Sequence, residues 1–381
     1  MQLEQIAETL RSAAERGQPV APWGCGTRQH IGGPPPAEAL RLDTTALDRV
    51  LDYVPSDLTI TVEAGITLAA VQALLAPHQQ WLPWDPPRAD ATVGGLLASA
   101  ASGPLRLGYG APRDWVLGMR VALGDGRLVK SGGKVVKNVA GYDSHKLHIG
   151  ALGTLGVIGE VTFKIAPLPE RSGTLVFPAD EAAAALGVLD GLRGLPGQPA
   201  CLALFDRSPG TDLPDAPLLL AVRYAGIDAA VGRQLAAGAA LAPAECLEGA
   251  PEQELWDTLA GFPLPGDGLL LRAGIRPASL ADLLALLRRH SPAEARLLTH
   301  STGLTYTRWP TPVSERSTQS LAGLRAALAP LGGYAVVEDA PPALRANLDL
   351  WGPPPETLPL MRALKRQWDP QNILNPGRYL V

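Results

Sequence analysis

Residues 130–158, Lys-Ser-Gly-Gly-Lys-Val-Val-Lys-Asn-Val-Ala-Gly-Tyr-Asp-Ser-His-Lys-Leu-His-Ile-Gly-Ala-Leu-Gly-Thr-Leu-Gly-Val-Ile, decide how this chain is read. Gly132, Gly133, Gly141, Gly150, Gly153 and Gly156 stand among Lys134, Lys137, Asn138 and Thr154, and an apolar strand pattern, Val157-Ile158 then Val161 to Ile165, follows. Glycines let backbone approach a ligand closely, while amide, hydroxyl and ammonium donors satisfy phosphates and ring heteroatoms. Such a stretch suits a large, flat, phosphate-bearing cofactor.

The chain has 381 residues, 46% of them hydrophobic, which exceeds one ordinary core and predicts two domains. A net charge of -4, with no block of Lys or Arg, argues against a nucleic-acid partner. Cys25, Cys201 and Cys246 are odd in number and widely spaced, giving neither a disulfide framework nor a zinc site, and a reducing compartment is the default. The N-terminus has no basic head followed by an apolar run, and no stretch of 18 uncharged apolar residues occurs. A cytoplasmic protein is expected, with peripheral attachment to the inner face of the cytoplasmic membrane as the most membrane contact it would have.

Periodicity predicts a helix over 2–16, with Leu3, Ile6, Leu10 and Ala14 on one face, and a strand over 19–23 that runs into Gly24-Cys25-Gly26-Thr27. Strands follow at 47–54 and 58–63, then a helix at 67–75, and Asp125-Gly126 marks a hairpin. The Pro-rich joint 166–170 sets a boundary between an N-terminal domain, 1–168, and a second domain, 171–345. In the second domain, strands near 173–178, 201–206, 217–224, 268–275, 296–309 and 333–338 alternate with helices near 180–193, 227–240, 252–260, 278–289 and 315–329. That pattern predicts an α+β domain, helices on one face of an antiparallel sheet. The remainder, 346–381, reads as a helix at 357–368 and a turn-rich tail that returns to the first domain.

The first glycine loop is not a dinucleotide-fold fingerprint, since its third glycine position is Gln29 and His30 leads into Pro34-Pro35-Pro36 in place of a helix. Its consecutive N–H groups can still form an anion nest. The second element, Thr92-Val93-Gly94-Gly95 onward to Ser102-Gly103, reads as a helix capped by Thr92 whose first turn is small enough for a phosphate or ring to rest against it. The third is Tyr109 to Gly118, with Arg113-Asp114-Trp115 at a loop-to-strand junction.

Together these segments resemble the FAD-binding domain of the p-cresol methylhydroxylase (PCMH) and vanillyl-alcohol oxidase family, in its bacterial 2-hydroxyacid dehydrogenase branch, where the FAD-binding subunits of glycolate oxidase complexes are the best match. Arg113 to Gly118, Lys137 to Asp143, Gly150 to Ile158, and the tail Asp369-Pro370 with Asn375-Pro376-Gly377-Arg378 carry the resemblance. It implies an α+β fold of PCMH type, a two-subdomain FAD-binding domain with an α+β cap. It puts Gly24, Gly26, Thr27 and Arg28 on the FAD pyrophosphate, and Thr92, Gly94, Gly95 and Ser102 on the pyrophosphate and flavin side. Arg113, Asp114 and Gly118 would follow the adenosine half, while Asn138, Gly141, Gly153, Thr154, Gly156 and Val157 wrap the ribityl chain and ring. Thr27 and Arg28 stand where covalently flavinylated relatives have a tethering His, so non-covalent FAD is expected, with His30 the one nearby tether.

The resemblance implies a subunit of a glycolate dehydrogenase that oxidises glycolate, a small 2-hydroxy acid, to glyoxylate, with a second FAD-containing subunit and an iron–sulfur subunit as partners. The His-rich metal motif of single-chain relatives is missing, His290 and His300 are isolated, and no metal ligand set is read. Two rivals stand beside this reading. One is a stand-alone D-2-hydroxyacid dehydrogenase gripping a carboxylate with Arg272, Arg308 or Tyr306; the other is a flavin-fold scaffold without turnover. The catalytic base stays unassigned.

Overall fold

The computed structural model describes residues 2–134, 141–206, 213–300, 302–345 and 347–381. Asn138 lies outside the described residues, as does the rest of 135–140. The chain divides into two compact units, one of residues 1–102, 110–167 and 353–381, the other of 103–109 and 168–352. The division differs from the sequence reading in two places. Residues 103–109 go with the second unit, where Gly108 N–H donates to Ala200 O at 3.0 Å and a Cβ on Gly108 would lie 2.7 Å from Ala200 Cα. The C-terminal return begins at Pro353, not at 346, because Leu350 packs in the second unit's core. A seven-residue excursion of this kind leaves no periodicity to read.

In the first unit the helix Leu3–Glu15 buries Leu3, Ile6, Ala7, Leu10 and Ala13, the three-and-four spacing that makes one apolar stripe. The stripe packs on Val20, Leu42, Leu47, Ala122, Val157, Ile373 and Leu374. Fully burying a side chain such as Ile6 or Leu10 contributes about 1.5–3 kcal/mol. The central sheet runs, in order, Val50–Val54, Thr59–Glu63, Val157–Lys164, Val116–Ala122, Leu128–Gly132, with every neighbour antiparallel. Alternation along a strand splits its side chains between two cores. Val121 and Ile158 face a cluster that includes Leu68, Val71, Val93 and Leu97, while Ala122 and Val157 face the N-terminal helix. Val20–Trp23 pairs in parallel with Leu40–Asp43, a strand too short and too charged to be read from sequence.

The second unit is an antiparallel sheet in the order Glu245–Leu247, Arg171–Ala179, Leu218–Gly226, Cys201–Asp206, Arg296–His300, Leu304–Trp309, Leu269–Gly274, Tyr334–Asp339. Leu175, Phe177, Val222, Leu271 and Val337 point to the face covered by Leu189, Leu235, Leu283, Leu287, Leu324 and Leu328 from four helices, so the α+β expectation holds. The strand read as 296–309 is two, Arg296–His300 and Leu304–Trp309, paired as a hairpin. Gly303, at φ +82° and with its Cα so close that a Cβ would lie 2.1 Å from Ile275 O, makes the turn.

Candidate functional site

The glycine segments of the first unit converge on one solvent-open cleft. The strand Val20–Trp23 delivers the first loop, in which Gly26 takes φ +74°. Gly24 lies so tightly on the second segment that a Cβ there would come within 2.2 Å of Thr92 Oγ1. Thr92 caps the short helix Val93–Ala98, its Oγ1 accepting from Gly95 N–H at 3.3 Å. Gly94 is pinned from behind, donating to Ala64 O at 2.7 Å, whereas a Cβ on Gly95 would meet Thr92 Oγ1 at 3.0 Å and nothing else within 4 Å. Gly95 therefore offers bare backbone to the cleft.

The third wall is the turn leading into the strand Val157–Lys164. Gly150, Leu152 and Gly153 adopt φ +82°, +53° and +71°, and Gly150 and Leu152 donate to the helix-end carbonyls of Leu97 and Ala98 at 3.0 and 2.8 Å. The two glycine segments are thus hydrogen-bonded to each other. Gly156 is bare for a different reason, since a Cβ there would sit 2.6 Å from Val121 Cγ1 and 3.1 Å from His148 Cε1, both protein atoms. His148 is buried and stacks on Trp368 at 4.9 Å, and burial, then the neighbouring His145, pushes its pKa down to about 4. Burial also lowers His145.

The C-terminal tail supplies the last wall through Asn375 and Arg378. Asn375 donates from Nδ2 to Leu152 O at 2.8 Å, and Arg378 donates to Gln29 Oε1 at 2.5 Å and to Arg28 O at 3.1 Å. Among the described residues no carboxylate lines the cleft, and two guanidinium groups do. Arg28 is only 8% exposed, with buried Nε and Nη1 lacking a hydrogen-bond partner among the described residues, and Asn375 Oδ1 is likewise buried and unsatisfied among them. Buried polar atoms are rarely left unpaired, so these ask for a ligand with anionic oxygens for Arg28 and a donor for Asn375.

Of the residues read from sequence, Gly24, Gly26, Thr27, Arg28, Thr92, Gly94, Gly95, Gly153, Gly156 and Val157 line this cleft. Thr154 is fully buried behind it, with its hydroxyl on Ala151 O at 2.7 Å. Ser102, Arg113, Asp114, Gly118 and Gly141 are not brought to it. Asp114 accepts from Ala111 N–H at 2.8 Å and caps the short helix Pro112–Trp115, and Gly118 sits mid-strand where a Cβ would lie 2.8 Å from Gly133 N. Sequence reading missed Cys25, Gln29, Ser99, Asn375 and Arg378 as cleft residues. The two tail residues were legible only as part of a signature, because their approach depends on a chain return across more than 200 residues.

The arginines considered for a carboxylate grip hold neighbours inside the second unit, with Arg308 Nη1 alone of its donors buried and without a hydrogen-bond partner among the described residues. Arg308 Nη2 donates to the carbonyls of Phe262 and Leu264, and Arg272 Nε pairs with Glu338 Oε1 at 2.6 Å. His300 is buried, and burial followed by Arg106 lowers its pKa to about 4.

Residues 2–132 match the FAD binding domain family, and residues 353–379 match the C-terminal domain of the FAD linked oxidases. The first unit is thus similar to the FAD-binding domain of FAD-linked oxidases. Its cofactor is FAD, and the unsatisfied Arg28 and the bare Gly95 fit such a group. Glycolate oxidase subunit GlcE of Escherichia coli (strain K12) is 35% identical over 174 residues, 45% of this chain and 49% of the relative. Glycolate oxidase subunit GlcD of Bacillus subtilis (strain 168) is 32% identical over 54% of this chain and 44% of the relative, and mitochondrial D-lactate dehydrogenase [cytochrome] of Arabidopsis thaliana is 31% identical over 57% and 40%. The matched stretches thus span about half the length of these relatives or less. Alkyldihydroxyacetonephosphate synthase shares the fold, with TM-score 0.72 and 16% identity over 99% of this chain and 76% of that one.

Proposed function

We propose that this chain is an FAD-dependent oxidoreductase acting on the CH–OH group of a small 2-hydroxy acid, and specifically an FAD-binding component, of the GlcE kind, of a complex that oxidises glycolate to glyoxylate. The observation that carries the reading is the 174-residue match to a glycolate oxidase subunit, taken with a cleft whose buried Arg28 lacks an anionic partner. Bound FAD supplies two-electron acceptor chemistry for alcohol oxidation. The chain's own residues do the holding. Arg28 and the first-loop N–H groups would neutralise the pyrophosphate, the Thr92 to Gly95 turn and Gly153 would let the cofactor lie against backbone, and Asn375 Oδ1 would accept from it. Binding would be non-covalent, since the loop offers Thr27 and Arg28 at the tethering position and His30 does not line the cleft.

Partners would be a second flavin-containing subunit and an iron–sulfur subunit, in the cytoplasm with at most peripheral membrane attachment. Commitment of Arg308 and Arg272 to neighbours in the second unit counts against the stand-alone dehydrogenase. The test is anaerobic stopped-flow bleaching of the flavin by glycolate, in the isolated chain and in the assembly with both partners. Slow or absent bleaching in the isolated chain, with rapid bleaching in the assembly, is expected. Equal rates would favour the stand-alone enzyme, and no bleaching in either would favour the scaffold.

A further inference from the structure

At the end of the helix Leu358–Trp368, Lys365 and Asp369 form a buried ion pair, Nζ to Oδ2 at 2.7 Å, with the two residues 6% and 1% exposed. Lys365 Nζ also donates to Thr154 O at 2.8 Å and to Leu374 O at 2.9 Å. Asp369 accepts the N–H groups of Ile373 and Leu374 at 3.0 and 2.8 Å. Neither residue lines the cleft. A carboxylate at a helix C-terminus opposes the helix dipole, so helix stability does not account for Asp369. What the pair does is fold the tail back sharply and fasten it to the turn that carries Gly153 and Gly156.

From that anchor the tail reaches the first loop. Leu374 bridges Val20, whose N–H donates to Ile373 O at 2.7 Å, and Asn375 N–H donates to Val20 O at 2.9 Å. Arg378 then holds the Arg28 carbonyl, and Gly33 N–H donates to Arg378 O at 3.0 Å. The first loop and the Gly153 turn thus share the tail as a common brace.

We infer that Lys365 and Asp369 are positioning residues for the cofactor cleft, a latch that sets FAD affinity without touching FAD. The inference rests on the cleft being the FAD site. A buried ion pair loses most when one partner is left charged and alone, so both charges are removed together, in Lys365→Met/Asp369→Asn. The apo chain is titrated with FAD by flavin fluorescence quenching, and its thermal unfolding is measured without FAD. At least tenfold weaker FAD binding is expected of the double variant, with the apo protein still folding cooperatively. Leu283→Ala, a core truncation in the second unit, lowers Tm and is expected to leave the FAD Kd unchanged. If the double variant does not fold, Asp369→Glu, which keeps both charges and shifts the pair's geometry, is expected to weaken FAD about threefold. Wild-type Kd in a folded latch variant, or a Leu283→Ala loss of affinity as large as the latch variant's, overturns the latch alone. A wild-type chain that binds no FAD overturns the site and the latch together.

Discussion

Both units bury polar atoms without a hydrogen-bond partner among the described residues, Arg308 Nη1 and Glu338 Oε2 in the second as well as Arg28 Nε and Nη1 in the first, and they differ in where those atoms stand. In the second, Glu252 is 2% exposed yet accepts from Ser172 and Thr174 at 2.7 and 3.0 Å and pairs with Arg223 at 3.0 Å, and Arg308 is turned onto two backbone carbonyls. In the first, Arg28 and Asn375 keep unsatisfied atoms at the wall of a cleft built from backbone. Polar groups paired within their own unit rigidify it, whereas unmatched polar groups held at the wall of an open cleft prepare a site.

The largest effect that would sharpen this contrast comes from Gly156→Leu. The new side chain would collide with Val121 and His148, so more than about 3 kcal/mol of stability should be lost, beyond the usual cost of overpacking. Thermal unfolding of the apo chain checks it, and an unchanged Tm would mean the turn is looser than described. The loss of flavin in such a variant is thus a packing effect, unlike Gly95, where the added side chain enters open cleft.

A slightly smaller effect depends on pH. His148 falls from an ordinary 6.5 to about 4 on folding, so the folded chain binds fewer protons between these values than the unfolded chain does. Its contribution is fully present above pH 6.5 and is lost as pH falls toward 4, by at most about 3 kcal/mol. His300 in the second unit has the same shift. Stability of the apo chain measured from pH 7 to pH 4.5 should fall in the wild type and fall less in His148→Gln and in His300→Gln; a pH response unchanged by either substitution would mean that burial does not hold that imidazole neutral.

Arg28→Met should weaken FAD about tenfold to a hundredfold, the range of a charge-assisted hydrogen bond, with little change in apo stability. Arg308→Met should do the reverse, lowering Tm and leaving Kd alone. The smallest expected effect is Asp114→Ala, about 1 kcal/mol of stability through the lost helix cap, with FAD Kd within twofold of wild type. A large loss of affinity there would return Asp114 to the cofactor.

Local chemistry was legible in the sequence. The apolar stripe of Leu3, Ile6 and Leu10, the Thr92 cap, the Asp125-Gly126 hairpin and the glycine walls of the cleft all follow from neighbours a few residues apart. What was not legible depends on long-range closure. The excursion of 103–109, the placement of Asn375 and Arg378, and the split of 296–309 at Gly303 are fixed by partners distant in sequence. For Arg272 and Arg308 the limit is the same, since alternation along a strand says which face a side chain takes and not that Glu338 or the Leu264 carbonyl stands beside it.

The most direct measurement is the FAD stoichiometry and affinity of the wild-type chain beside Gly95→Leu, by titration of the apo proteins, followed by acid precipitation of the holo form. One FAD per wild-type chain is expected, released intact into the acid supernatant, and a folded Gly95→Leu chain should bind none, because its side chain fills the space where the cofactor meets backbone. Full flavin occupancy in a folded Gly95→Leu protein would place FAD elsewhere, and flavin retained by the precipitated polypeptide would contradict non-covalent binding.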